Sequence, residues 1–185
     1  DGKGNKEFND WNAEMHRLSE NLLNWHEANK AFKKGKGADP GPRPSLDIPG
    51  AGGARIKANN SQESKYIFAQ VGKGKQTAHK SSDTYKAYVG LKEVGKQLTK
   101  SRAVAFLKAL QDAGINADVK FIEDTVFDST SRDQIVIHGD KATAHAAEKV
   151  AKTFWGSELD ITEIGRDGPL KTGDHTSYSG LIEEN

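Results

Sequence analysis

Apolar and polar positions alternate cleanly in the stretch DTYKAYVGLK, Asp83 to Lys92. Read as a strand of period two, it turns Tyr85, Ala87, Val89 and Leu91 to one side and Lys86, Tyr88, Gly90 and Lys92 to the other. Other stretches carry the same period. KYIFAQV from Lys65 predicts a strand, ADVKFIE sets Val119 and Phe121 against Asp118 and Lys120, and RDQIVIHGD turns Ile135 and Ile137 inward and Arg132, Gln134 and His138 outward. ELDITEI, from Glu158, predicts a last strand. Between these the period lengthens. Ala103, Phe106, Leu107 and Leu110 share one side of a helix over about 99–113, with Gly114 as its left-handed cap. Asp140 caps a second helix through Ala147, Val150, Ala151 and Phe154 to Gly156.

From residue 85 the order is strand, helix, strand, strand, helix, strand. That is the split βαβ pattern (β-α-β-β-α-β): an α+β fold whose sheet is antiparallel or mixed, with both helices on one face and the other face free. The strand near 66–71 is an addition to it. So is an N-terminal amphipathic helix, in which Trp11, Met15, Leu18, Leu22, Trp25 and Phe32 form one stripe. The stripe needs a cover. The reading adopted is docking on the chain's own core; the alternative is a partner helix or chaperone. Pro40, Pro42, Pro44 and Pro49, four of the five prolines, then mark a loop. The expected division is a helix over 1–35, a Pro/Gly-rich loop or linker over 36–64, and an α+β domain over 65–185.

A chain of 185 residues is long enough for one ordinary core, but an apolar fraction of 35% and a mean hydropathy of −0.74 place part of it outside that core. Formal charge is +1, so any anionic partner must be met by a local patch and not by the global field. The absence of cysteine excludes disulfides, thiolate metal sites and a cysteine nucleophile. No apolar run approaches the roughly 20 residues of a membrane span, and no membrane partner is expected. The chain begins at Asp1 rather than Met, which leaves room for a targeting segment upstream and leaves localisation open between a translocated effector and a cytoplasmic protein.

The free face of the sheet carries the candidate chemistry. Lys86, Tyr88 and Lys92 come from one strand, Asp118 and Lys120 from the second, and Arg132, Gln134 and His138 from the third. Together they make either a solvated, edge-protecting face or a cationic field for a phosphate or carboxylate. Other motifs fail. The six histidines have no metal-ligand spacing, so no metal is expected, and GKGKQ at Gly72 lacks the frame of a phosphate-binding loop. Tyr88 is the only aromatic placed to stack a base, which argues against nucleic acid.

The succession YKAYVGLK, helix, DVKFIED, SRDQIVIHGD and PLKTGDHTSYSG resembles the phosphothreonine lyases of type III secretion. It is similar in particular to the related effector domain that also occurs as a lyase in lanthipeptide-type pathways. The resemblance covers about residues 65–185, with Arg132, Val136 and His138 near the marked positions of the third strand. It implies elimination of phosphate from phospho-Ser or phospho-Thr in a peptide or protein, without a cofactor. It places Lys120 as the base, Lys86 and Tyr88 at a Lys-x-His pair, and Arg132 as a phosphate ligand, with Lys92, His138 and Arg166 as further phosphate-binding candidates. The sequence departs from the family in having Tyr88 for the histidine and Asp118 for a lysine. It also lacks an arginine at SYSG, where Arg166 and Lys171 are the nearest substitutes. A non-catalytic module that holds a phosphorylated or acidic partner on the same face is the alternative function.

Overall fold

In a computed structural model, residues 5–58, 66–78, 83–122, 134–160 and 176–178 are described. Helix α1 spans Lys6–Lys33 and is followed by strands β1 (Arg55–Ile56), β2 (Tyr66–Val71) and β3 (Tyr85–Val89). Helices α2 (Val94–Gln97) and α3 (Lys100–Asp112), strands β4 (Ala117–Ile122) and β5 (Ile135–Gly139), helix α4 (Lys141–Trp155) and strand β6 (Thr176–Tyr178) complete the order. The strands form one six-stranded sheet in the order β1-β2-β4-β5-β3-β6, and every neighbouring pair is antiparallel. Within it, β3, β4, β5 and β6 with helices α3 and α4 make the split βαβ arrangement expected from the alternation. β2 adds to its β4 edge, and β1 to β2.

The helix boundaries follow from local chemistry. The Thr99 hydroxyl accepts the Arg102 N–H at 3.1 Å, and the Asp140 carboxylate accepts the Thr143 N–H at 2.7 Å, each satisfying a donor that the first turn leaves free. Beyond α3, Gly114 takes φ 73° while the Ile115 N–H returns to the Leu110 carbonyl, a glycine-dependent stop. Arg102 pairs with Glu158 and stacks on the Trp155 ring at 4.9 Å, which ties α3 to the end of α4.

The helices form one layer. Phe8 and Trp11 of α1 meet Phe121 edge-on at 6.3 and 5.9 Å, and Phe106 of α3 meets Trp155 of α4 at 5.5 Å. Val119, Phe121, Ile135, Ile137, Ala87 and Val89 lie within this core. The apolar stripe of α1 divides. Phe8, Trp11, Met15 and Leu22 are buried, whereas Trp25 turns its Nε1–H to the Gly41 carbonyl at 2.9 Å and Phe32 is 42% exposed. The Pro/Gly-rich stretch is packed and not slack: Leu46, Ile48, Ala51 and Ala54 are buried, and Arg55–Ile56 pairs with β2.

Two expectations about strands are corrected. Alternation over 85–92 ends early, at Val89, after which Leu91 makes a single bridge to Leu159. The strand expected at ELDITEI begins instead as a 3₁₀ turn, Gly156–Glu158, with Leu159 contributing only that bridge; residues 161–164 lie outside the described residues. The place beside β3 at the sheet edge is taken by Thr176–Tyr178, from the tail read as polar.

Candidate functional site

The strand register sets the polar face. Lys86 on β3 stands opposite His138 on β5, His138 opposite Asp118 on β4, and Asp118 opposite Gln70 on β2. Two residues along each strand, and so on the same face, a second row runs Tyr88, Val136, Lys120 and Phe68. Lys86, Lys120 and His138 are half-buried, Tyr88 is 2% exposed and Val136 0%. The centre of this face is therefore not a solvated sheet surface.

Each polar group has its own setting. The Lys120 ammonium lies 4.1 Å from the centroid of the Tyr66 ring, whose quadrupole attracts a cation. Asp118, 8% exposed, pairs through Oδ2 with Lys57 at 2.5 Å and accepts the Lys75 N–H on Oδ1 at 3.1 Å. Among the described residues the buried Tyr88 hydroxyl has no hydrogen-bond partner. Gln134, expected to point outward into the cationic field, is 2% exposed, and its Oε1 accepts the Leu91 N–H at 2.6 Å. That buried backbone donor has claimed the side chain. Lys92 stands apart: it is exposed beyond the end of β3, with its N–H bonded to the Glu158 carbonyl. Arg132 and Arg166, with Asp133 and Lys171, lie outside the described residues. Of the residues singled out from the sequence, the sheet thus gathers Lys86, Tyr88, Lys120 and His138. Among the described residues no group of three His, Asp or Glu is placed to hold a metal ion.

The turn GKGKQ after β2 lies over the rim of the same face. A Cβ on Gly74 would come within 2.9 Å of Asp118 Oδ1 and 3.1 Å of the Gln70 side chain, so the backbone passes directly above these two residues. It is pinned by four donors. The Gly72 N–H goes to Gln111 Oε1 at 2.8 Å, Lys73 N–H to Asn116 Oδ1 at 2.8 Å, Gly74 N–H to the Val71 carbonyl at 2.9 Å, and Lys75 N–H to Asp118. A phosphate-cradling loop needs such donors unoccupied, which is the physical reason this turn is not one. Burial lowers the Lys75 amine below the ordinary lysine range; the Asp118 carboxylate opposes that, and the Lys57 ammonium adds to it. Lys57 and Lys75 were not among the residues selected from the sequence. The only signal for Lys75 was a basic turn with two glycines, and Lys57 lies 61 positions from the carboxylate it meets.

Gly72→Ala tests the pinning. Gly72 has φ +57°, and an added Cβ would stand 2.4 Å from Asn116 Oδ1 and 2.6 Å from the Ile115 carbonyl oxygen. A fixed carbonyl cannot yield as a flexible side chain does, so the expected loss of unfolding free energy is about 1–3 kcal/mol, read by urea denaturation.

No family model matches the chain, and no curated protein matches it. Solved structures similar to it include two effectors. One is the Chromobacterium violaceum VirA (SpvC) phosphothreonine lyase effector, at 14% identity and a TM-score of 0.43, over 90% of this chain and 88% of that one. The other is the type III effector and phosphothreonine lyase OspF from Shigella flexneri, at 14% identity and a TM-score of 0.40, over 72% of each chain.

Proposed function

We propose that this chain is an effector-type lyase that eliminates phosphate from phospho-Ser or phospho-Thr in a peptide or protein. The observation that carries this reading is the gathering of Lys86, His138 and Lys120 on one face across three neighbouring strands. Cationic and imidazole donors in that arrangement suit a phosphate dianion better than a neutral ligand. Arg132 and Arg166 are its further proposed phosphate ligands. In the reaction an amine takes the Cα proton, the freed electron pair forms the Cα–Cβ double bond, and the Cβ–O bond breaks toward the departing phosphate. The resemblance to the phosphothreonine lyases implies Lys120 as that amine and Lys86 and Tyr88 as the neighbouring pair. The activity is the one named for the two similar solved structures.

A phosphothreonine peptide incubated with the protein is expected to emerge about 98 Da lighter, the mass of phosphoric acid lost by elimination. A loss of about 80 Da would mean hydrolysis and overturn the reading. The second reading, a binding module on the same face, is favoured by one observation: the Tyr88 hydroxyl is buried and, among the described residues, without a partner, in a poor position to pass a proton to a leaving group. It predicts a retained peptide of unchanged mass.

A further inference from the structure

Lys57 comes from outside the split βαβ unit, yet it stands on the face that carries Lys86, His138 and Lys120. In the pairing of β1 with β2, Arg55 lies opposite Gln70 and Ile56 opposite Ala69, and the Lys57 N–H then donates to the Phe68 carbonyl at 2.9 Å. Ile56 is 3% exposed, within the core. Alternation therefore turns Lys57 to the polar face beside Phe68, whose partner on β4 is Lys120. From there the side chain crosses β2, and its ammonium meets Asp118 Oδ2 at 2.5 Å. Lys57 and Tyr66 also line one cavity, and the same Tyr66 ring carries the Lys120 ammonium.

The two ends of this ion pair are unequally exposed. Asp118 is 8% exposed and is held in one orientation, because its Oδ1 accepts the Lys75 N–H at 3.1 Å, whereas the Lys57 side chain is 45% exposed. The pair hides its anionic end and shows its cationic one. A dianion arriving over the face thus meets the ammonium, which has three donors and spends one on Asp118. Asp118 in turn lies one strand spacing, about 4.8 Å, from His138 and two residues, about 7 Å, from Lys120. The Lys57 ammonium is therefore at the edge of the gap between these two groups, a gap on the scale of one phosphate with its three acceptor oxygens.

We propose that Lys57 is a phosphate-binding residue of this face, held in place by Asp118. The inference rests on the lyase reading and adds to its phosphate ligands a cation from the end of the Pro/Gly-rich stretch. Asp118 is a positioning residue: one oxygen fixes it to the turn after β2, and the other aims the ammonium at the gap. The competing account is that Lys57 only neutralises Asp118. The two accounts differ in what happens when both charges are removed together.

The test compares wild type, the double variant Lys57→Gln with Asp118→Asn, and Asp118→Asn alone. The double variant leaves two neutral amides in place of a pair whose charges cancel, so no buried charge is stranded and the distant field of the face is unchanged. The probe is the phosphonate form of a phosphothreonine peptide, in which a methylene replaces the bridging oxygen and no Cβ–O bond can break; the same peptide with plain threonine is the control. The expected result is phosphonate binding at least about tenfold weaker in the double variant, the loss of one charge-assisted contact, with binding of the control peptide unchanged. Asp118→Asn alone should also bind the phosphonate less tightly, although it raises the charge of the face by one, and it decides the matter if the double variant fails to fold. The proposal is overturned if the double variant binds the phosphonate as wild type does, or if Asp118→Asn binds it as tightly or more tightly. Mass detection on the phosphothreonine peptide is separate: a wild-type protein that binds the phosphonate but leaves that peptide's mass unchanged sinks the lyase reading, while the affinities still decide the role of Lys57.

Discussion

Lys120→Ala is expected to lower turnover of a phosphothreonine peptide by at least about 100-fold, the range in which a positioned acid, base or charged group contributes. The effect on stability should be far smaller. Its contact with the Tyr66 ring stabilises the fold by about 0.5–1 kcal/mol at a half-exposed site, and the core residues beside it, Val119 and Phe121, point to the other face. Turnover of the peptide with mass detection, alongside a thermal melt, separates the two. Loss of activity with an unchanged melt places Lys120 in the site, and Lys120→Arg then distinguishes a charge from a base. Retention of more than a tenth of the activity by Lys120→Ala would remove it from the chemistry altogether.

Trp11→Ala is expected to have the largest effect on stability. The ring is 2% exposed and meets both Phe8, at 5.6 Å, and Phe121, at 5.9 Å. Truncating a buried aromatic of this size costs about 3–5 kcal/mol, a large part of the 5–15 kcal/mol that holds an ordinary domain together. Removing residues 1–34 deletes Phe8, Met15 and Leu22 as well and should uncover the whole patch around Phe121. Phe32→Ala, at the exposed end of the same helix, should change the unfolding free energy by no more than about 0.5 kcal/mol. Urea unfolding of the three proteins checks the contrast. Equal midpoints for wild type and the truncated chain would mean that α1 serves a partner and not its own domain.

Strong local periodicity carried the architecture. Alternation over YKAYV, ADVKFI and IVIHG placed Ala87, Val89, Val119, Phe121, Ile135 and Ile137 in the core, because period-two patterning is a property of each strand by itself, but it also turned Tyr88 outward, and Tyr88 is 2% exposed. The caps at Thr99, Asp140 and Gly114 were legible for the same reason: each is a contact within a few residues. The edge strand was not. ELDITEI alternates better than HTSYSG, but an edge position is decided by which backbone reaches the open side of β3, and that is a matter of chain path. Gln134 escaped too, since nothing local shows that the Leu91 N–H, 43 positions away, lacks another acceptor.

The candidate site divides along the same line. The sequence by itself determined that Lys86, Lys120 and His138 point away from the apolar core, since each alternates with residues that must be buried. Only the tertiary structure decided the rest: that β5 lies between β3 and β4 and so joins these residues in two adjoining rows, that Tyr88 is buried, and that Lys57 neutralises Asp118 while a pinned turn brings Lys75 to the rim. How readily Lys75 holds its proton depends on burial and on neighbours from β4 and from the segment after β1. Those are sums over distances in space, and residue spacing along the chain carries no information about them.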